Sequence, residues 1–386
     1  MLIPKIKRTE ESKLTSWYLE IDRGLLLWTF VLIAIGCLVV FSAGSAQAAR
    51  MGKPWYFFFQ KAWLLYLCGI FALFFCSTLN KLQIIRLSVV GFIATYGLLI
   101  STVVRGVKIN GSSRWASIFG INVLPVDLVK PFFIILTAWF LTKMQDTYGK
   151  NCFINKDAWK PSLARVNWPI YIALFVPCVL ILLKHPDLGS ALLYSGVVLV
   201  MIFVAGIPWK IFLPLTGLGI GSMCIYALFF MEHVGKRAKE ILQMEQGSQV
   251  WFSVNSIRHG GLFGSGDKSY VKNVLAESAN DFVYSSIAED LGAIIACGLI
   301  GVLFYVFSML VKHAIQAKDD FVVYAVTGAA ALFAGQIIFN LTSALHMIIN
   351  KGMTLPFISY GGASFIGFGI LFGMVLALVR EDTWNK

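Results

Sequence analysis

Apolar and polar positions along this chain alternate in long blocks rather than in the period-two runs of strands. Ten apolar blocks stand at about 24–44, 57–77, 84–104, 124–143, 168–184, 188–206, 209–231, 282–311, 322–348 and 356–379. Each is of the order of 20 residues, the length a helix needs to cross the hydrocarbon core of a bilayer. The pattern predicts an all-α polytopic membrane protein with about ten transmembrane helices; a strand barrel would show short alternating segments instead. An even number of spans puts both ends on one side. The single domain, 1–386, then has short tails at 1–23 and 380–386 and one large extracytoplasmic loop, 232–281, between helices 7 and 8. The first apolar run follows Lys5, Lys7, Arg8, Lys13 and Arg23, much as a secretory signal would. It is too long for one and many spans follow, so a retained first helix is expected.

Composition agrees: 58% of residues are hydrophobic and 13% charged, which excludes an ordinary soluble domain of this length. The loops on the side of the tails hold Lys81, Lys150, Lys156, Lys160, Arg165, Lys312 and Lys318 besides the amino-terminal cluster. The positive-inside rule assigns that set to the cytoplasm. The opposite set is basic too, with Arg105, Lys108, Arg114, Lys184, Arg258, Lys268, Lys272 and Lys351 among its residues. The asymmetry is therefore weak. Outer basic charge suits lipid head groups, or an anionic substrate such as a pyrophosphate, and composition alone leaves both open. The seven cysteines, Cys37, Cys68, Cys76, Cys152, Cys178, Cys224 and Cys297, show no paired spacing. They read as small core residues rather than a disulfide framework or a metal site.

Candidate chemistry gathers where polar sequence turns apolar. VLAESANDFVYSSIAEDLG, Val274–Gly292, holds Glu277, Asp281, Glu289 and Asp290 in a chain with 20 acidic residues. A helix beginning near Asp281 would set Glu289 about 12 Å deeper and within about 80° around the axis. A carboxylate at that depth faces protein or a wet cavity. Lys130 of PVDLVKPFF is one candidate partner for it, and Asp127 with Lys130 forms a local i,i+3 alternative. Asn280 or Asp281 can cap the helix, or Asp281 can act as a general base, a role that partial burial favours. The two readings are compatible, and spacing does not choose. NKGMTLPFISYGGASFIGFG carries Lys351, Pro356, Ser359, Tyr360, Gly361 and Gly362. It reads either as a closely packed helix start or as irregular backbone lining a cavity. KHPDLGSALL is expected to be a tight turn with Asp187 as cap. GSSRWASIFG is expected to be an amphipathic segment on the outer face, with Trp115 at the interface. The glycines of HGGLFGSGDKS permit close approach to a ligand or punctuate turns.

RWASIFGINVLPVDLVKP, HPDLGSALL, GGLFGSG, AESANDFVYSSIAEDLG and NKGMTLPFISYGGAS occur in that order around ten spans. With them the chain resembles the SEDS proteins (shape, elongation, division and sporulation) over nearly its whole length. SWYLEIDRGLLL and NKGMTLPFISYGG look more like the division branch than the elongation branch. The resemblance implies a peptidoglycan glycosyltransferase of the bacterial cytoplasmic membrane, with both termini cytoplasmic, at the division septum. Such an enzyme polymerises lipid II outside the membrane with inversion of configuration, releasing undecaprenyl pyrophosphate. The family's essential aspartate falls on Asp281, which would assist deprotonation of the acceptor's 4-hydroxyl. Arg114, Lys130, Lys272 and Lys351 become candidates for substrate phosphate or cavity electrostatics, and Glu277, Ser359, Gly361 and Gly362 for substrate binding. Asp127, Asp187 and Glu289 would organise the cavity. A divalent cation, Mg2+ or Mn2+, is expected with no ligand set assigned, and no organic cofactor. Expected partners are lipid II and undecaprenyl-pyrophosphate-linked glycan, a class B penicillin-binding protein, other division proteins and membrane lipids, with no nucleic acid. The chain departs from the family where it reads LPVD for QPSE, AESANDF for PEAHTDF, RHGG for GSGG and SYGGAS for SYGGSS. Rival functions are a lipid II flippase or transporter and a non-catalytic division scaffold.

Overall fold

The computed structural model describes residues 13–109, 112–118, 121–162, 164–185, 187–230, 246–270, 274–275, 277–348 and 352–384. Every expected apolar block contains a helix, although the last block opens with a loop at 356–361. In chain order the helices are α1 (Lys13–Glu20), α2 (Arg23–Arg50), α3 (Phe57–Ser77), α4 (Lys81–Arg105), α5 (Pro125–Tyr148), α6 (Trp168–Lys184), α7 (Leu188–Val204), α8 (Trp209–Phe230), α9 (Gln249–Gly260), α10 (Val283–Gln316), α11 (Asp320–Ala344) and α12 (Gly362–Trp384). Eight are long and apolar enough to cross a membrane; α6 and α7, of 17 residues each, are shorter apolar helices. Polar residues start several of them. Asp22 accepts from the Leu25 amide at 2.7 Å, Asn80 and Gln83 form a capping box on α4, and Asn167, Ser248 and Asp319 cap α6, α9 and α11. Such caps are each worth about 1 kcal/mol.

The segment expected to lie amphipathically on the outer face is a strand. Ser112–Ile118 (β2) pairs antiparallel with Val107–Ile109 (β1) and with Ile121–Val123 (β3). Val107, Ile109, Ile118, Ile121 and Val123 are β-branched and suit a pleated surface. Two hairpins satisfy the central strand's backbone where a lone strand could not.

Burial sorts the helices. α5, α11 and α12 are mostly enclosed, while no residue of α8's apolar stretch is fully buried and only one side of it, with Phe212 and Met223, packs on the core. Phe71 on α3, Ile93 on α4, and Leu218 and Phe229 on α8 point outward as side chains facing lipid do. α12 lies against α3 through the GILFG stretch. A Cβ on Gly369 would meet the Gly69 carbonyl oxygen at 2.4 Å, and one on Gly373 that of Leu73 at 2.5 Å. This is the small-residue packing that membrane helices use in place of a hydrophobic driving force.

The end of the bundle nearest the described chain ends is laced by polar contacts. Arg380 reaches Glu20 at 3.9 Å and the Leu79 carbonyl at 3.3 Å, His313 meets Asp22 at 3.0 Å, and Lys81 pairs with Asp319. The His313 imidazole beside Asp22 holds that carboxyl below the usual carboxylate range. The opposite end, the far end, carries the sheet, α9 and the polar loops.

Candidate active site

Helix α10 is not one rod. Gly292 adopts φ 87° and ψ 168° inside it, a conformation open to glycine alone at little strain. The break frees backbone groups, and the glycine-rich turn after α9 satisfies them. Ala293 N–H donates to the Gly261 carbonyl at 2.9 Å, Ile294 N–H to that of Leu262 at 3.3 Å, and Ser265 N–H to that of Glu289 at 2.8 Å. A Cβ on Gly292 would sit 2.3 Å from the Leu262 oxygen, and one on Gly264 would sit 2.3 Å from that of Asp290. The glycines of HGGLFGSG thus let two backbones touch. Non-helical backbone survives at membrane depth only when protein covers it in this way.

The candidate base lies eleven residues before the break, just ahead of the helix. Phe282 is the N-cap of α10 and makes no side-chain capping bond, so the N-cap position falls one residue beyond Asp281 and two beyond Asn280. The turn that enters α10 closes on itself instead. The Glu277 carbonyl accepts from the amides of Asn280 at 3.1 Å and Phe282 at 3.2 Å, and its carboxylate from the Asn280 side-chain amide at 2.6 Å. Ser286 donates to the Ser278 carbonyl at 2.9 Å. Asp281 is half-buried. Its main-chain carbonyl accepts from Asn340 of α11 at 2.9 Å. Asn340 lies twenty residues into α11, about 30 Å from that helix's start, which is the thickness of a hydrocarbon core.

A second loop, 352–361, forms the facing wall. Gly352 has φ 56°, and a Cβ there would stand 2.7 Å from Asp281 Oδ2. Asn340 also donates to the Met353 carbonyl at 2.6 Å. One turn below, Gln336 Nε2 donates to the Thr354 carbonyl at 2.9 Å, to its hydroxyl at 3.1 Å and to Ser364 at 3.3 Å. The loop then dips. Pro356, Phe357, Ile358 and Ser359 are all buried. A Cβ on Gly36 would meet the Phe357 carbonyl at 2.1 Å, and Gly36 is thirteen residues into α2, about 20 Å from its start. Phe357, at φ 61°, is one of two described non-glycine residues in the left-handed region. NKGMTLPFISYGGASFIGFG thus holds irregular backbone over 352–361, as its second reading has it, and a closely packed helix start at Gly362, as its first has it.

The structure spreads the other candidates across this frame. Ser359 is buried, donates to the Asn280 carbonyl at 2.6 Å and accepts from the Leu355 amide at 2.8 Å, so it ties the two loops together. Gly361 packs on Thr354 and Gly362 on Leu65. Lys130 is buried five residues into α5 and donates to Asp127 at 2.5 Å and Gln336 at 3.3 Å. It takes the local partner rather than Glu289, because a helix holds i and i+3 together at no cost in chain ordering. Arg114, on β2, pairs with Asp187 at 3.4 Å, while Asp187 caps α7 through the Ser190 amide and hydroxyl at 3.1 and 2.9 Å. Burial pushes the neighbouring His185 below the usual imidazole range, and its Nε2 lies 2.9 Å from the Thr102 hydroxyl. Lys272 and Lys351 lie outside the described residues. Glu289 has no exposed surface; it meets His259 Nδ1 at 3.1 Å and accepts from the Tyr270 amide at 3.0 Å. Asp290 accepts from Ser42 of α2 at 2.9 Å.

Sequence reasoning passed over Gln336, Asn340, His259 and Gly352. The first two carried a readable signal: two amides at i and i+4 in an apolar span share one face, and polar side chains there grip other segments. The other two are recognisable only once their neighbours are placed.

Ten apolar helices, broken backbone beneath a rim, and a half-buried carboxylate facing loops at that rim define a polytopic membrane protein whose polar site opens at one end of its bundle. Residues 23–383 match the FtsW/RodA/SpoVE family, described as "Cell cycle protein", and the chain belongs to that family. It is 30% identical to "Probable peptidoglycan glycosyltransferase FtsW" of Caulobacter vibrioides, over 97% of this chain and 93% of that one. It is 28% identical to the protein of the same description from Thiomicrospira cyclica, over 96% and 95%. Among solved structures it resembles the Rod shape determining protein RodA of Thermus thermophilus, with a TM-score of 0.66 at 24% identity over 95% of this chain and 98% of that chain. A chain from a peptidoglycan synthase complex that coordinates polymerization and crosslinking gives a TM-score of 0.71 at 23% identity, over 94% and 98%.

Proposed function

We propose that the protein is a peptidoglycan glycosyltransferase that polymerises lipid II at the outer face of the bacterial cytoplasmic membrane, in septal wall synthesis. The relatives' descriptions support the activity. The observation that carries the assignment to this site is Asp281, half-buried at the far end, with its main chain held by Asn340 and its carboxylate against Gly352. A carboxylate so placed meets protein and water rather than lipid, and it is held in one position without being sealed away.

In this reading Asp281 accepts the proton of the acceptor's 4-hydroxyl as that oxygen bonds to the anomeric carbon of the lipid-linked donor. The bond from that carbon to the pyrophosphate oxygen breaks on the opposite face, configuration inverts, and undecaprenyl pyrophosphate leaves with the electron pair. A general base needs hydrogen-bond reach and typically contributes about 10²–10⁴ in rate. The two loops locked by Asn340, Gln336 and Ser359 supply the fixed geometry. The basic residues of the far end, Arg114 among the described ones, offset phosphate charge.

A divalent cation of the Mg2+ or Mn2+ class takes oxygen donors and keeps several waters. The side-chain oxygens of Asn280 and Asn340 are buried without a partner beside Asp281, and oxygens of this kind suit such an ion. Among the described residues no three His, Cys, Asp or Glu side chains form a ligand group. The cation would therefore be held by Asp281 and these amides together with substrate oxygens, and it would supply charge against the leaving pyrophosphate. A class B penicillin-binding protein is the proposed partner, in keeping with the synthase complex whose chain shares this fold; other division proteins join it at the septum. Both termini are proposed to be cytoplasmic.

The test is polymerisation of lipid II by purified protein in nanodiscs, alone and with its class B partner. Asp281→Ala and Asp281→Asn are each expected to cut polymer formation by about 100-fold or more. Equal polymer from the variants removes Asp281 from the mechanism. Lipid movement across vesicles without polymer identifies a flippase, and retained partner binding with neither activity identifies a scaffold.

A further inference from the structure

α9 has two faces. Ser253, Ser256 and Gly260 are buried against α10: Ser253 hydrogen-bonds Ser285 at 2.6 Å and the Ala344 carbonyl at 2.8 Å, and a Cβ on Gly260 would lie 2.0 Å from the Ala288 carbonyl oxygen. On the opposite side, at helical spacing, Trp251, Phe252, Asn255, Arg258 and His259 line an open cavity of about 460 Å³ that Tyr270 and Val274 also border. That volume lies within the ~300–1,000 Å³ range of small-molecule sites. Glu289 builds the cavity from behind. Its buried carboxylate holds His259 from α9 and the Tyr270 amide from the following loop, and the His259 and Tyr270 rings meet edge to face at 4.6 Å.

We propose that this cavity is a subsite for the nascent glycan strand, seating an amino-sugar unit whose peptide stem bears a carboxylate; the identity of the strand rests on the glycosyltransferase reading. A pyranose presents C–H groups on one face and polar groups around its edge. Trp251, Phe252 and Tyr270 offer π faces of negative potential to the former. Asn255 both donates and accepts toward hydroxyl and acetamido groups, and Arg258 offers a two-pronged donor to a carboxylate. A phospholipid head group would use the guanidinium and the interfacial rings and leave the Asn255 amide without a role. Position agrees as well: Ser285, the partner of Ser253, is four residues beyond Asp281, so the cavity and the candidate base lie on opposite sides of one helix, about 10 Å thick. A strand leaving the base across α9 reaches this cavity next.

The probe is a lipid-free tetrasaccharide of alternating N-acetylglucosamine and peptide-bearing N-acetylmuramic acid, titrated by ligand-observed NMR into the full-length protein in zwitterionic nanodiscs. Wild type and Gly97→Ala, in α4 with open space around it, are expected to bind it equally. Arg258→Ala and Trp251→Ala are expected to weaken binding by about tenfold or more, while Trp251→Phe, which keeps a ring in place, loses little. No binding by wild type, or equal binding by Arg258→Ala and Trp251→Ala, overturns the proposal. So does displacement of the tetrasaccharide by phosphatidylglycerol in the nanodisc, which would make the cavity a lipid head-group seat. Polymer made from lipid II by a wild type that does not bind the tetrasaccharide defeats the subsite and leaves the glycosyltransferase standing. Tetrasaccharide binding without polymer does the reverse.

Discussion

At the scale of single residues, Asp281 and Gly352 are one unit. The carboxylate occupies the space that any side chain at 352 would need, 2.7 Å from the Cβ position. Gly352 also adopts φ 56°, where an L side chain costs about 1–2 kcal/mol. Gly352→Ala is therefore expected to displace the carboxylate and reduce lipid II polymerisation by about tenfold or more while the protein still purifies as a folded species. Gly97→Ala, in α4 with open space around it, is the control and should polymerise as wild type does. Polymerisation unchanged in Gly352→Ala would show that the base does not depend on this contact. The two residues differ in how far sequence exposes them. Asp281 is legible because carboxylates are scarce in an apolar chain and because its surrounding stretch resembles a family motif. Gly352 is not, since its requirement comes from a residue 71 positions earlier in the chain. The same limit governs the lysine of α5. The pair with Asp127 is visible from i,i+3 spacing, whereas Glu289 reaching back to His259 and Tyr270 depends on a loop path that no spacing encodes.

At the scale of elements, hydropathy placed a helix within each apolar block, and eight of these helices, among the described residues, are long and apolar enough to span, because bilayer thickness sets a minimum length. It missed the interruption of α10. A window of apolar residues reads the same whether its backbone is helical or turns at Gly292, and a glycine in a membrane helix is unremarkable by composition. The missing knowledge was which polar backbone groups need partners, and the answer lay about thirty residues upstream in HGGLFGSG. The strand Ser112–Ile118 escaped for another reason, since its two hairpin partners are only three residues long, too short to show a period-two pattern. The break has a measurable consequence. At φ 87°, with a Cβ destined 2.3 Å from the Leu262 oxygen, Gly292→Ala must either straighten α10 or push the α9 turn away. It is expected to destabilise the protein by about 2 kcal/mol or more, read as a lowered thermal midpoint in detergent. Because Ser265 and the Glu289 backbone move with that turn, tetrasaccharide binding should fall as well. A thermal midpoint equal to wild type would mean that α10 runs on as a regular helix.

At the scale of the whole molecule, the two ends of the bundle are built differently, and that difference decides which side of the membrane the chemistry can occupy. One end is tied by Arg380 to Glu20, His313 to Asp22 and Lys81 to Asp319. The other has two loops meeting over α11, with a half-buried carboxylate between them. Charge along the sequence separates the two sides weakly, because both sets of loops are basic. Accessibility gives a sharper answer. Phe263 beyond α9 is 83% exposed, and Lys150 after α5 is exposed at the opposite end. A thiol reacts with a maleimide as its thiolate, which needs water. Cys68, Cys224 and Cys297 are exposed on apolar spans, where they should stay silent. Phe263→Cys is expected to label with a membrane-impermeant maleimide in intact spheroplasts, and Lys150→Cys only after permeabilisation. The reverse result would put Asp281 on the cytoplasmic surface. A strand polymerised there could not reach the wall, and neither the proposed base nor the α9 cavity could serve its assembly.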